Sequence, residues 1–199
     1  MNAEARTRLQ LVFDVGGVLA DNLDHFWSGL AQEEAIDRTF LRAQYKKEIG
    51  SGLWQGTIVE DEFWNWLREV CPNVPSVRAK ELLKQTLIPL PALGRLEGWS
   101  ERADIHILSN HVASWIMPLL EGQEDRISSI TVSSEAGFHK PDIRLFRVAS
   151  LHLMGSEICF VDDKEDNLET ARMMGWDTLL ADPEGKWIQE VEDRLKVYE

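Results

Sequence analysis

The chain is poor in cysteine, in tyrosine and in positive charge. Of its 199 residues two are Cys and two are Tyr, and 21 Lys and Arg stand against 34 Asp and Glu, a formal net charge of −13. Cys71 and Cys159 are too few and too far apart for a disulfide framework, and Cys159 lies in an apolar run, which suits a buried thiol. The acidic balance excludes a nucleic-acid protein and a polybasic membrane binder, because the overall field repels polyanions. An anionic small molecule would have to be held by a local group of cations. No apolar stretch approaches a membrane span, and Asp14 interrupts the first apolar run. The N-terminus lacks a signal-peptide layout, so a cytoplasmic location is the expectation. Neither an internal repeat nor a low-complexity tract is present.

What is present is ordinary globular composition, 44% hydrophobic and 28% charged, in a length that suits one large domain or one domain with an insertion. Residues 9–13, 105–108, 130–132, 158–161 and 178–180 are short apolar runs without clean alternation, as expected for strands of a parallel sheet covered on both faces. Helical patterns lie between most of them. One opens at Lys140-Pro141-Asp142, with Pro141 near the first helical position, and another runs over 164–174 and stops at Gly175. Alternating strands and helices predict an α/β fold, a doubly wound, Rossmann-like parallel sheet.

The interval 21–93 departs from that alternation: it holds helical patterns over 25–47, 59–70 and 76–87 and no convincing strand. It is expected to be an α-helical cap inserted after the first strand, leaving 1–20 and 94–199 as the core. Trp64 and Trp66 belong to the cap's own core on this reading, while Trp27 or Trp54 is a candidate to line a cleft. Asp21 and Asp24 are candidates to cap the first cap helix. The tail from Asp182 reads as an acidic helix lying on the surface.

Polar residues follow successive strands. Asp14 ends the first, before Gly16 and Gly17; Ser109-Asn110 follows the second, Lys140 the third by a short loop, and Asp162-Asp163 ends the fourth. In an open parallel sheet the carboxyl ends of the strands converge on one crevice, so residues remote in sequence can meet. The inventory is a nucleophilic carboxylate, a hydroxyl and an amide, a fixed cation and paired acidic metal ligands. Phosphoryl transfer needs that set: oxygen ligands for Mg²⁺, cations and donors for the phosphoryl oxygens, and a carboxylate that accepts phosphorus.

Four segments then carry a resemblance over essentially the whole chain. Phe13-Asp14-Val15-Gly16-Gly17-Val18-Leu19, Ile107-Leu108-Ser109-Asn110, Phe138-His139-Lys140-Pro141-Asp142 and Phe160-Val161-Asp162-Asp163-Lys164-Glu165-Asp166-Asn167 resemble, in order, the motifs of the haloacid dehalogenase (HAD) superfamily. The branch most similar holds sugar-phosphate phosphatases and the phosphatase domain of soluble epoxide hydrolase. The resemblance implies that Asp14 is the nucleophile of a phosphoaspartyl intermediate, that Ser109 and Asn110 bind phosphoryl oxygens, and that Lys140 stabilises nucleophile and phosphate. It also implies a Mg²⁺ site of Asp14, the Gly16 carbonyl and Asp163, with Asp162 direct or through water, oriented by Asn167.

One position departs from the pattern. Phosphatases of this kind carry a second Asp two residues after the nucleophile to protonate the leaving oxygen, and here that position is Gly16. General acid–base catalysis supplies roughly 10²–10⁴-fold in rate, so the loss is large. His111, directly after Ser109-Asn110, is the best-placed replacement and is counted among the substrate-binding candidates. His25 is a lesser candidate from the cap edge, His139 is expected at the surface, and His106 and His152 are expected to be structural.

The expected activity is Mg²⁺-dependent hydrolysis of a small phosphorylated metabolite, sugar phosphates being one class. Two alternatives stay open. One is a metal-free 2-haloacid dehalogenase, for which Arg38 or Arg42 would be the available halide-binding arginine. The other is a HAD-fold binding protein with a weakened site. Nucleic-acid and membrane partners are not expected, and oligomeric state is not readable.

Overall fold

The structure, a computed structural model, describes residues 8–198. After β1 (Leu9–Phe13) come the helices α1 (Asp24–Glu34), α2 (Arg38–Tyr45), α3 (Ser51–Trp54), α4 (Glu60–Val70) and α5 (Ser76–Thr86), with a π-helical stretch, Lys46–Gly50, joining α2 to α3. The chain then runs α6 (Leu96–Ser100), β2 (Ala103–Ser109), α7 (Ala113–Leu120), β3 (Ile127–Val132), α8 (Ser133–Ala136), α9 (Ile143–Ser150), β4 (Ile158–Asp162), α10 (Glu165–Met173), β5 (Asp177–Leu180) and α11 (Lys186–Leu195). The five strands form one parallel sheet in the order β3-β2-β1-β4-β5. Strand order reverses at β1, so the crevice at its carboxyl end is where a ligand is expected.

Side chains alternate across the sheet, and the core divides accordingly. Leu11, Phe13, Ile105, Ile107, Cys159 and Val161 pack on one face with Trp99, Trp187, Val191 and Leu195. Val12, Leu108 and Phe160 pack on the other with Phe146, Leu168 and Trp176. The C-terminal helix is therefore more than surface decoration: α11 buries Trp187, Val191 and Leu195. The low hydrophobicity of 182–199 concealed that face.

The helices between β1 and β2 have a core of their own, built on Phe26, Trp27, Tyr45, Phe63, Trp64 and Trp66. Val112 and Trp115, from the segment after β2, join it, so the cap is nailed to the core beside the sheet's carboxyl edge. Ser114 also donates a hydrogen bond to Glu60 at the start of α4. The two connections to the cap run side by side, with Asp21 N–H donating to Ile88 O at 2.9 Å and Leu90 N–H to Leu19 O at 2.9 Å.

Several local expectations are revised. Pro141 precedes its helix: Asp142 is the N-cap of α9, accepting from Arg144 N–H at 2.9 Å. Helix α7 went unread because Pro118 lies inside it, and proline is a poor helix-interior residue. Asp21 and Asp24 do not cap α1, whose N-cap is Leu23 without a side-chain bond; Asp24 pairs instead with Arg38 and Arg42. His152 is exposed and His139 half-buried. Among the described residues no helix is long and apolar enough to cross a membrane.

His106 is structural, and it sets a pH dependence. Its ring is 2% exposed. Nε2–H donates to Gln10 Oε1 at 3.1 Å and Nδ1 accepts from Ser129 Oγ at 2.7 Å, the assignment the Gln10 carbonyl requires. Burial pushes the imidazole pKa down to about 4, against a smaller upward pull from Asp104. The unfolded chain therefore binds a proton at a higher pH than the native one. The stability this group contributes is complete above about pH 6.5 and is lost as pH falls toward 4, about 3 kcal/mol in all. Urea unfolding between pH 7 and 4.5 should show that slope, and His106→Gln should remove about one proton's worth of it. An unchanged slope in the variant would assign the titration elsewhere.

Candidate active site

Asp14, Ser109, Asn110, Asp162 and Asp163 stand at or just beyond the carboxyl ends of strands, while Lys140 comes from the loop after the short helix α8, which follows β3, and Asn167 from the first turn of α10. Asp14, one residue past β1, is 4% exposed. Its Oδ1 accepts from Val15 N–H at 2.7 Å and from Ser109 Oγ at 3.0 Å, and lies 3.0 Å from Lys140 Nζ. Oδ2 takes no hydrogen bond among the described residues, which leaves it open toward the cavity. Gly17, with φ +78°, turns the chain away; a Cβ there would stand 2.8 Å from Asp163 Oδ2, so the turn accepts only glycine.

Lys140 is fully enclosed, with Nζ 2.6 Å from Asp162 Oδ2 and donating to Leu108 O at 3.0 Å. Burial works against its charge, but Asp14 and Asp162 outweigh it and hold its pKa above the usual lysine value. The loop that carries it is pinned by Asn110, whose Nδ2 donates to Lys140 O at 2.9 Å and whose Oδ1 accepts from Lys140 N–H at 2.8 Å. Both ends of the Asn110 amide are thus engaged, leaving its second N–H proton for a ligand.

Asp162 and Asp163 differ sharply in their surroundings. Asp162 Oδ1 accepts from Lys164 N–H at 2.8 Å and Asn167 Nδ2 at 2.9 Å, while Oδ2 takes Lys140 and Asn167. Its lone pairs are nearly all in use. Asp163 Oδ1, by contrast, is buried with no hydrogen bond, paired among the described residues only with Lys164 Nζ at 4.0 Å, and burial outweighs that lysine to push the carboxyl up to about 6. Asp14, Asp162 and Asp163 each offer an oxygen within 4.8 Å of the others. An all-oxygen, acidic donor set with one buried carboxylate oxygen that makes no hydrogen bond fits a hard divalent cation such as Mg²⁺.

His111 occupies the space the chain leaves open at Gly16. A Cβ built on Gly16 would lie 3.4 Å from His111 Cε1 and 4.0 Å from Nε2. Nδ1 lies 2.8 Å from Ser109 Oγ. Because the Ser109 proton goes to Asp14, Nδ1 must carry the donated hydrogen, and Nε2 is left as a lone pair. Burial, then the Lys140 and Lys164 cations, push the imidazole down to about 3, so it is neutral.

Above these groups lies a cavity of about 330 Å³, closed on the cap side by Trp27, Tyr45, Trp54, Arg42 and Lys46. A small molecule fits it and a macromolecule does not.

No family model matches the chain. It is 27% identical over 198 residues to the D-ribitol-5-phosphate phosphatase of Bacteroides thetaiotaomicron, covering 91% of this chain and 95% of that protein. Its structure superposes on a HAD family enzyme of the same organism with a TM-score of 0.76 at 20% identity, over 88% of this chain and 94% of that one. The complex of that enzyme with magnesium and inorganic phosphate matches at 0.71 and 22% identity, over 87% and 93%. A predicted HAD-like family hydrolase of Porphyromonas gingivalis gives 0.75 at 20% identity, over 96% and 98%. The chain has a HAD-like fold.

Within this site the four motif segments converge: Asp14, Ser109, Asn110, Lys140, Asp162, Asp163 and Asn167 come together at one end of the sheet, with Gly16 and His111 beside them. His25 is exposed and does not line the cavity. Arg38 and Arg42 are bound to Asp24. Both Trp27 and Trp54 line the cavity, and Trp27 serves the cap core as well. Sequence reading passed over Tyr45, Lys46 and Lys164 as cavity residues. Lys164 carried a signal, since it directly follows Asp162-Asp163; Tyr45, at the end of α2, carried none, nor did Lys46, because a π-helical turn has no readable period.

Proposed function

We propose that the protein is a Mg²⁺-dependent phosphatase of small phosphorylated metabolites, sugar phosphates among them, acting through an aspartyl phosphate on Asp14. The observation that carries this reading is the Asp14 carboxylate itself. Three donors fix one of its oxygens and the other faces the cavity, beside an acidic oxygen cluster and a buried lysine. The name of the ribitol-phosphate relative and the magnesium and phosphate bound to the structural neighbour support it. The acidic surface suits neither a nucleic acid nor an anionic membrane, and the buried free thiols suit a cytoplasmic setting.

Asp14, the Gly16 carbonyl and Asp163 would hold the metal, with Asp162 holding Lys140. Bound there, Mg²⁺ would neutralise and orient the phosphoryl oxygens. Ser109, Asn110 and Lys140 donate to the same oxygens. Asp14 Oδ2 attacks phosphorus as the ester P–O bond breaks, and the leaving oxygen takes its proton from water, since position 16 supplies no acid. In the second half water attacks phosphorus, its proton passes to the open Nε2 of His111, and the P–O bond to Asp14 breaks to restore the carboxylate. A neutral imidazole in the place of the missing aspartate suits the accepting role and not the donating one. Good leaving groups are accordingly turned over faster than alkyl ones.

The test is phosphate release from p-nitrophenyl phosphate and a sugar-phosphate panel, with Mg²⁺ and with chelator. Release that needs Mg²⁺ is the expected result. Equal release in chelator would remove the metal from the reading, and absence of release from folded protein would remove the phosphatase.

A further inference from the structure

We infer that the cap wall of the cavity is a subsite for a second anionic group of the substrate, bound by Lys46 together with Arg42. The preferred substrates then carry a carboxylate or a second phosphate a short carbon chain away from the phosphoryl group that is removed. The inference rests on the phosphatase reading of the site and deepens it.

That wall is basic in an acidic protein. Away from the Asp14 floor the cavity is lined by three cations, Arg42, Lys46 and Lys164, and by one carboxylate, Asp24. Lys164 stays with the floor, its Nζ 4.0 Å from Asp163 Oδ1. Asp24 is already shared, since its Oδ1 accepts from Arg38 and, at 2.6 Å, from Arg42. Lys46 makes no hydrogen bond and no ion pair among the described residues. Arg38, Arg42 and Lys46 follow one another at helical spacing, and the same three line a depression of about 350 Å³ that shares Arg42 and Lys46 with the cavity. Like charges one turn apart oppose the helix that carries them. Three cations against one carboxylate leave positive charge in excess on this face, and Lys46 opens the π-helical stretch, a distortion frequent at functional sites.

The chemistry of the wall selects the ligand. A substrate with a neutral tail leaves Lys46 unmatched once it fills the cavity, whereas an oxyanion on the tail accepts from Lys46 and competes with Asp24 for Arg42. Trp27 and Trp54 line the space between floor and wall, where apolar surroundings strengthen a charge pair. The cavity, about 330 Å³, is at the small end of ligand pockets, so the chain joining the two anions is short. Electrostatic steering is the competing account, because cations at the rim of an acidic protein also speed the arrival of any phosphate. Steering acts on all phosphates alike and fades with salt; a subsite discriminates among tails.

The experiment measures kcat/KM for two matched pairs, 3-phosphoglycerate against glycerol 3-phosphate and propane-1,3-diol bisphosphate against its monophosphate, in the parent protein, Lys46→Gln and Asp24→Asn. Lys46 and Asp24 are both exposed, so neither substitution disturbs the core. The parent should prefer the doubly anionic member of at least one pair, and the pair that responds tells a carboxylate site from a phosphate site. That preference should fall about 10-fold in Lys46→Gln, the equivalent of one charged hydrogen bond, and rise about 3-fold in Asp24→Asn, where Arg42 is released. Absence of preference in the parent overturns the inference and leaves the phosphatase reading intact. So does an unchanged preference in Lys46→Gln, including an equal, salt-suppressed fall for every substrate, which is steering alone. A fall in Asp24→Asn overturns it too, because the carboxylate would then be what holds the tail. Absence of phosphate release by the parent protein from all four substrates and from p-nitrophenyl phosphate fells the phosphatase reading, and the inference with it.

Discussion

Asp14→Asn should abolish turnover and yield a protein at least as stable as its parent. The amide has the carboxylate's shape and can keep the bond from Val15 N–H, but it is no nucleophile toward phosphorus. A fall in kcat of at least about 10³-fold is expected. Stability should move the other way. In the parent, one buried ammonium faces two buried carboxylates, Asp14 at 3.0 Å and Asp162 at 2.6 Å, with Asp163 beside them. Removing one negative charge leaves Lys140 and Asp162 as a matched pair and relieves repulsion. Without divalent cations the gain should be on the order of 1 kcal/mol, a rise in Tm of about 2–4 °C for a chain of this size. Thermal unfolding of both proteins in chelator, beside single-turnover assays in Mg²⁺, decides the matter. Residual turnover near the parent level would show that another group attacks phosphorus. A fall in Tm would show that the carboxylate serves the fold.

The reverse substitution in the same cluster should be far more damaging. Lys140→Met keeps roughly the volume and loses the charge, so Asp14 and Asp162 are left buried without their cation, and Leu108 O loses its donor. Breaking a buried pair on one side costs about 3–5 kcal/mol, because the remaining charge is uncompensated. Tm should fall by roughly 6–20 °C, and kcat by about 10² or more as the phosphoryl oxygens lose a cation. Mg²⁺ should restore more Tm to the variant than it adds to the parent, since a divalent ion among the same carboxylates supplies the missing positive charge. A variant as stable as the parent in chelator would mean that the carboxylates had already taken up protons and that the lysine is no structural counter-ion.

These two substitutions act on residues that local patterns flagged, and the reason is instructive. An Asp after an apolar run, two glycines beyond it and a Lys-Pro-Asp before a helical pattern are each local chemistry. Their order along alternating strands and helices predicts a shared crevice, because parallel strands bring their carboxyl ends to one edge. Asp14, Ser109, Lys140 and Asp162 meet there as that rule requires. The division of labour between Asp162 and Asp163 was not legible. Both are aspartates in one motif, and only the structure gives one to Lys140 and Asn167 and leaves the other with a buried oxygen that makes no hydrogen bond.

His111 and Tyr45 mark the boundary most clearly. Adjacency to Ser109-Asn110 nominated His111, but whether its ring would turn to solvent or fill the space beside Gly16 depended on the cap, where Trp54 lies 5.8 Å from it in edge-to-face contact. Tyr45 had no local distinction at all. The amino-acid sequence by itself determined the parallel sheet, the helical insertion and the carboxylate at the sheet's edge, because hydrophobic period, strand length and turn residues are properties of contiguous segments. Tertiary structure alone decided which groups close the cavity, which lone pairs stay open and which charges are matched. Those depend on contacts between the cap and the core, and the identity of neighbours along the chain does not encode the distance between side chains that packing brings together.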